Sequence, residues 1–249
     1  MMKQCATTRV LEEGIIELNI NDTETQNRLS VGVIEQVSAT LDTLAAERTL
    51  KVLILSGRED VFCAGGTLTM LRQIRQDEFH DKHLILPSKL LNFPVPVVGA
   101  AQGHAVGGGL LLALYCDLVV AAESSRYSAN FTAMGFTPGM GGTTLLPLLA
   151  GPHFAGEMML TAKYYKGREL QGRGLFNYIV SADKVMPVAL DLARQIADKP
   201  RYVLEMIKES IALPRRQALA TAISREHLMH QISFSRPETG ELIENSYLH

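Results

Sequence analysis

From residue 90 to residue 116 the chain carries no Asp, Glu, Lys or Arg. A charge-free run of that length has to be buried, either in lipid or in protein. Pro94, Pro96, Gln102, His104 and five glycines interrupt it, and in a bilayer they would leave backbone and polar groups unsatisfied. The run therefore reads as an interior strand followed by an enclosed helix. The rest of the chain can surround such a segment: of 249 residues, 47% are hydrophobic and 20% charged. That suffices for one large core, at most one and a half domains, and is the reverse of a disordered composition.

Lysine and arginine number 24 and aspartate and glutamate 26, so the net charge of −2 leaves no electrostatic footprint for nucleic acid. Cys5, Cys63 and Cys116 are odd in number and widely spaced. They suit neither a disulfide framework nor a zinc site, and a reducing cytoplasm is the simplest expectation. The opening residues MMKQCATTRVLEEG lack the apolar stretch of a signal peptide.

Residues 15–20, 51–56 and 96–101 read as interior strands, being short, apolar and β-branched. Residues 117–122 and 126–128 supply two more. Ser30 is placed to cap a helix whose apolar face is Val33, Ile34, Val37, Leu41 and Leu44, and another helix opens in the glycines around Gly108. Strands alternating with helices predict an α/β fold. From residue 183 the pattern is almost wholly helical, with Pro200 and Pro214 expected in the first turns of new helices. Its apolar stripes, among them Val203, Met206, Ile207 and Ile211, are more than the region can bury alone. They are expected to pack on the first region or on a neighbouring subunit. The division is thus 1–182 as a core and 183–249 as a helical oligomerisation region.

Two glycine-rich turns follow strands: Ala64-Gly65-Gly66 and Gly107-Gly108-Gly109. Turns without side chains let backbone N–H groups approach a ligand, and the second also has the positive end of a helix dipole. Converging on one carbonyl oxygen, the two would form an oxyanion hole; tight turning and close helix packing explain either one taken alone. No phosphate-loop lysine, nucleophile elbow or dinucleotide fingerprint accompanies them.

Asn27, LILSGREDVFCAGG, PVPVVGAAQGHAVGGGLLLALYCDLVVA, MGFTPGMGGTTLLPLLAG and a lysine-bearing helix around Lys208 together resemble the enoyl-CoA hydratase/isomerase (crotonase) superfamily over nearly the whole chain. The resemblance implies a spiral of β-β-α turns with a C-terminal helical trimerisation region that also contributes to the active site. It also implies that the amides of Gly66 and Gly108 hold a thioester oxygen, with Ala64 beside the acyl group. Hydratases of this superfamily place glutamates where this chain has Leu111 and Phe131, and the acidic residue usual after the first turn is Thr67. Adding water to an enoyl thioester requires a base for the water and an acid for the α-carbon; Leu111 and Phe131 supply neither and are expected instead to form apolar walls beside the bound substrate.

Decarboxylation suits what remains, because loss of carbon dioxide generates the carbanion without a base and the oxyanion hole stabilises the resulting enolate. The pattern is similar to the decarboxylating homologues of polyketide β-branching cassettes, which use a lysine and a C-terminal histidine. Lys82 is the expected carboxylate-orienting group, with His80, His83 or Lys89 as alternatives for that place, and His230 is the expected proton donor. Spacing alone also permits a solvated lysine and an ordinary histidine there. His104, next to the second turn, is a substrate-side or loop-supporting residue. His227 and His230 form an H-x-x-H pair with no obvious third ligand, so no metal is expected.

The expected reaction converts a 3-methylglutaconyl-type thioester to a 3-methylcrotonyl-type product. The acyl group would be carried on the phosphopantetheine of an acyl carrier protein or on coenzyme A, with no resident cofactor and a homotrimer or dimer of trimers as the assembly. Enoyl-CoA isomerisation is the enzymatic alternative. A catalytically decayed scaffold that binds a partner is the non-enzymatic one.

Overall fold

A computed structural model describes residues 4–76 and 85–248. Two sheets organise the chain. The larger has six strands in the order β1 (Ala6–Glu12), β2 (Ile15–Ile20), β3 (Val52–Ser56), β5 (Val97–Ala101), β7 (Leu118–Ala122) and β10 (Tyr178–Val180). The smaller has four, in the order β4 (Val61–Cys63), β6 (His104–Val106), β8 (Arg126–Ser128) and β9 (Tyr165–Lys166). Successive strand pairs β3/β4, β5/β6 and β7/β8 each give their first strand to the large sheet and their second to the small one, and each is followed by a helix. This is the expected β-β-α spiral. From β2 to β10 the large sheet is parallel, and only the β1–β2 edge is antiparallel.

The interior strands form where the sequence concentrates β-branched residues, and they are buried on both faces, as parallel strands are. Along β3 the side chains alternate. Val52 and Ile54 face one cluster with Ile15, Val98 and Val120. Leu53 and Leu55 face the main core, with Val33, Val37 and Leu41 of α1 (Val31–Ala45). Ser30 caps α1 as expected, its hydroxyl accepting from the Val33 N–H at 3.2 Å. The first face is roofed by α6 (Val185–Ala197), whose Ala189, Ala193 and Ala197 let the helix lie close on the sheet.

The predicted break at Pro214 is not there. Helix α7 runs unbroken from Arg201 to Phe234, with Pro200 as its N-cap and Pro214 in its interior. A proline costs an interior helix one backbone bond, to the carbonyl four residues back. Here Pro214 and Ser210 are both exposed, so water can satisfy that group. Of the two expected places for the apolar stripe, the first region does not cover it: Met206, Ile207 and Ile211 are about half exposed. The buried face instead reads Leu204, Lys208, Ala212, Arg215, Leu219, Ala222 and Glu226, at helical spacing of three and four. Lys208 and Arg215 bond the two oxygens of buried Asp117 at 2.7 and 2.5 Å. Asp117 also accepts from the Val97 N–H at 2.9 Å.

Candidate active site

Asn27 fastens the first glycine turn. Its side-chain amide donates to the Ile20, Val61 and Phe62 carbonyls at 2.9, 3.1 and 2.9 Å, while its oxygen accepts from the Asp22 N–H at 2.8 Å. Residues 27–29 thereby lie alongside residues 64–67. Ala64 N–H donates to the Asn27 carbonyl at 3.2 Å, Leu29 N–H to Gly65 at 2.7 Å, and Thr67 N–H to Leu29 at 3.0 Å. Gly65 takes φ +80°, which side chains rarely adopt. Thr67, which stands where an acidic residue is usual, caps α2 (Leu68–Arg75) by accepting from the Met70 N–H.

The second turn is pinned by Gly107 N–H donating to the Ser128 carbonyl at 2.8 Å, and it opens α4 (Gly108–Leu114). The two turns pack backbone against backbone. A β-carbon on Gly109 would fall 2.0 Å from the Cys63 carbonyl oxygen, and one on Gly65 would stand 3.7 Å from the Gly108 nitrogen. Gly108 is the first residue of α4, so its N–H has no intrahelical acceptor. Among the described residues, no backbone hydrogen bond takes the Gly66 N–H. Both glycines line a cavity of about 340 Å³.

The cavity lining is mostly apolar, with Leu29, Met70, Leu71, Ile74, Phe131, Met134, Phe136 and Met140, and its polar groups come from Arg28, Asn130, Tyr164, His230, Ser246 and Tyr247. Phe131 makes an edge contact with Phe136 at 5.9 Å and occupies the wall where a hydratase glutamate is expected. Leu111 does not line the cavity. It is fully buried in α4, against Gly142 at the start of α5 (Gly142–Thr161). Neither of these positions can transfer a proton. No Asp or Glu occurs among the described lining residues, whose titratable members are Arg28, Tyr164, His230 and Tyr247.

Of the sequence-predicted residues, Gly66, Gly108, Ala64, Phe131 and His230 meet at this cavity. His230 projects from α7, its Nε2 bonded to the Thr137 carbonyl at 2.9 Å and its ring edge-on to Phe234 at 5.3 Å. Burial depresses its pKa below the ordinary value, against the opposing effect of the Thr137 bond. His104 lies away from the cavity, accepting from the Arg126 N–H at 3.0 Å on Nδ1, which ties β6 to β8. Lys82, with His80 and His83, falls within residues 77–84, outside the described residues. Lys89, on α3 (Ile85–Leu91), is paired with Asp42 of α1 and does not line the cavity. Among the described residues no three His, Cys, Asp or Glu side chains come together as a metal site. The buried thiols of Cys63 and Cys116 are pushed up to about 11 and about 12 by desolvation, which makes them inert.

Arg28 and Tyr247 were missed by sequence reasoning. Arg28 follows the diagnostic Asn27, a signal that could have been used. Tyr247, near the C-terminus, has none.

A β-β-α spiral whose two glycine turns meet over an apolar cavity defines an acyl-thioester enzyme scaffold, and the chain belongs to the enoyl-CoA hydratase/isomerase family, whose profile matches residues 11–244. Within it, the chain is 33% identical over 239 residues to the bacillaene synthase decarboxylase PksI of Bacillus subtilis (strain 168), covering 95% of each. It is also 32% identical over 229 residues to the human mitochondrial methylglutaconyl-CoA hydratase, covering 88% of this chain and 68% of that protein. A solved structure described as a dehydratase/decarboxylase enzyme couple involved in polyketide β-branching superposes with a TM-score of 0.94 at 32% identity, covering 99% of this chain and 100% of that one.

Proposed function

We propose that the chain decarboxylates a 3-methylglutaconyl-type thioester, carried on an acyl carrier protein, to a 3-methylcrotonyl-type thioester. The observation that carries this is the pairing of two backbone oxyanion donors with a cavity whose described lining has no carboxylate. The identities alone, 33% and 32%, do not separate a decarboxylase from a hydratase; Leu111 and Phe131 in the two expected glutamate positions support decarboxylation.

The substrate enters with its thioester oxygen on the Gly66 and Gly108 N–H groups. The bond between the γ-carbon and the carboxylate breaks, carbon dioxide leaves, and the electron pair passes through the double bond into the thioester oxygen, giving a dienolate. One backbone donor to such an oxyanion is typically worth about 3 kcal/mol. Lys82 orients the departing carboxylate so that the breaking bond stands perpendicular to the enoyl plane, a contribution from positioning more than from charge. His230 delivers the proton that quenches the dienolate. The acyl group arrives already bearing its pantetheine thiol, so the reaction calls for no resident cofactor.

Residues 183–249 supply assembly as well as His230. Tyr202, Met206, Ile207, Ile211 and Leu213 on α7 are 47–65% exposed, apolar surface that a homotrimer or dimer of trimers would cover. Isomerisation of an enoyl thioester is the second reading, favoured by His230 as a single acid/base at the cavity. Carbon dioxide release from a 3-methylglutaconyl thioester separates the two: decarboxylation liberates it in step with product, and isomerisation yields none.

A further inference from the structure

We propose that Tyr247 and Arg28 act as positioning residues that clamp the first oxyanion turn, so that docking of the C-terminal helix is a condition of catalysis. The proposal rests on the reading that the Gly66 N–H holds the thioester oxygen.

That donor belongs to a Gly-Gly peptide, with no side chain on either residue to limit its rotation. It has to be held from outside. Three successive carbonyls are engaged: Ala64 by the Arg28 guanidinium at 2.9 Å, Gly65 by the Leu29 N–H at 2.7 Å, and Gly66 by the Tyr247 hydroxyl. Arg28 also reaches the Gly66 carbonyl at 3.5 Å, and its guanidinium lies 4.6 Å from the centre of the Tyr247 ring. With the peptide planes before and after it pinned, the Gly65–Gly66 plane keeps one orientation. Donation to the Gly65 carbonyl also polarises the same peptide and strengthens its N–H as a donor.

The second turn is held differently. The Gly107 carbonyl accepts from the Leu110 and Leu111 N–H groups within α4, and its own N–H is taken by Ser128 of β8. Among the described residues, it is the first turn that takes a hydrogen bond from residue 247. Tyr247 directly follows α8 (Pro237–Ser246), and α8 is stapled to the helix that springs from that turn. Glu244 accepts from Nε and Nη2 of Arg72 at 2.7 and 2.6 Å. Gly240 leaves room for Arg75, since a β-carbon there would fall 2.3 Å from a guanidinium nitrogen.

Tyr247→Phe keeps the ring under Arg28 and removes only the hydroxyl; Arg28→Gln removes the guanidinium fork. The variants are compared with the unmodified protein in carbon dioxide release and in the carbonyl stretch of bound 3-methylcrotonyl-CoA, read by isotope-edited infrared difference spectroscopy. The clamp predicts kcat lowered about tenfold, the scale of one hydrogen bond felt in the transition state. It also predicts KM within about twofold and a carbonyl stretch displaced less to low wavenumber than in the unmodified protein. Purely structural contacts would leave the stretch of the folded variant unchanged. If Tyr247→Phe, folded by circular dichroism, matches the unmodified protein in both kcat and stretch, the clamp is overturned, whether or not Arg28→Gln folds. If the unmodified protein itself shows no displaced stretch, the oxyanion reading fails first and the clamp falls with it.

Discussion

At His230 the ring packs edge-on against Phe234 while Nε2 meets the Thr137 carbonyl. A carbonyl only accepts, so Nε2 carries the hydrogen, and Nδ1 has to take up a proton from solvent, making the imidazolium, before it can hand one to the dienolate. Burial favours the neutral ring. The native pKa therefore lies below the unfolded value of about 6.5, and the unfolded chain binds more protons between the two. Stability linked to His230 is fully present above about pH 6.5 and is lost as pH falls through that window. Thermal unfolding should show the stability difference between the protein and its His230→Gln variant shrinking from about pH 7.5 to about pH 5; a difference that widened in acid would contradict the burial argument. Gly139 admits the ring, since a β-carbon there would lie 2.8 Å from its Cε1. Gly139→Ala should slow carbon dioxide release about tenfold or more by displacing the imidazole, and His230→Ala about a hundredfold, the usual scale for a positioned acid/base group. Both variants should keep the native circular dichroism spectrum. Gly66, Gly108 and Phe131 were legible because glycine and phenylalanine stand in a recognisable pattern. The roles of Asn27 and Gly109 were not, because what they touch lies on other strands.

At the scale of elements, the interior strands and α1 could be read from the sequence, since short apolar runs and a capped 3.6-residue stripe carry their own signal. Helix α7 could not. Its buried face includes Lys208, Arg215 and Glu226, residue types that ordinarily mark solvent, and their partners sit far away in sequence. Glu226 accepts from the Gly141 N–H at 2.7 Å and the Thr143 N–H at 2.9 Å, holding the start of α5. Asp117 answers both cations, and burial lowers the Lys208 pKa even beside that carboxylate. Asp117→Ala would leave two buried charges uncompensated, at a cost of about 3–5 kcal/mol. Lys208→Met, which leaves Asp117 paired with Arg215, should cost less. Urea unfolding of the two variants checks the order, and the reverse order would show that Lys208 and not Asp117 is the hub.

For the whole molecule, one side of the large sheet is closed by α6 and the other by the main core, yet α7 keeps exposed apolar side chains along its length. Sedimentation at micromolar concentration should therefore give a trimer or hexamer, and a monomer would contradict the assembly. Among the described residues no helix is long and apolar enough to cross a membrane. With aliphatic and phenyl groups in the expected glutamate positions, this scaffold of a thioester hydratase is proposed to release carbon dioxide in place of adding water. The direct measurement is to incubate the protein with a 3-methylglutaconyl thioester and, separately, with crotonyl-CoA, following carbon dioxide in the first and hydration in the second. Decarboxylation gives stoichiometric carbon dioxide from the first and negligible hydration of the second. Hydration of crotonyl-CoA on the order of 10 per second, an ordinary enzymatic rate, with no carbon dioxide released, would contradict it.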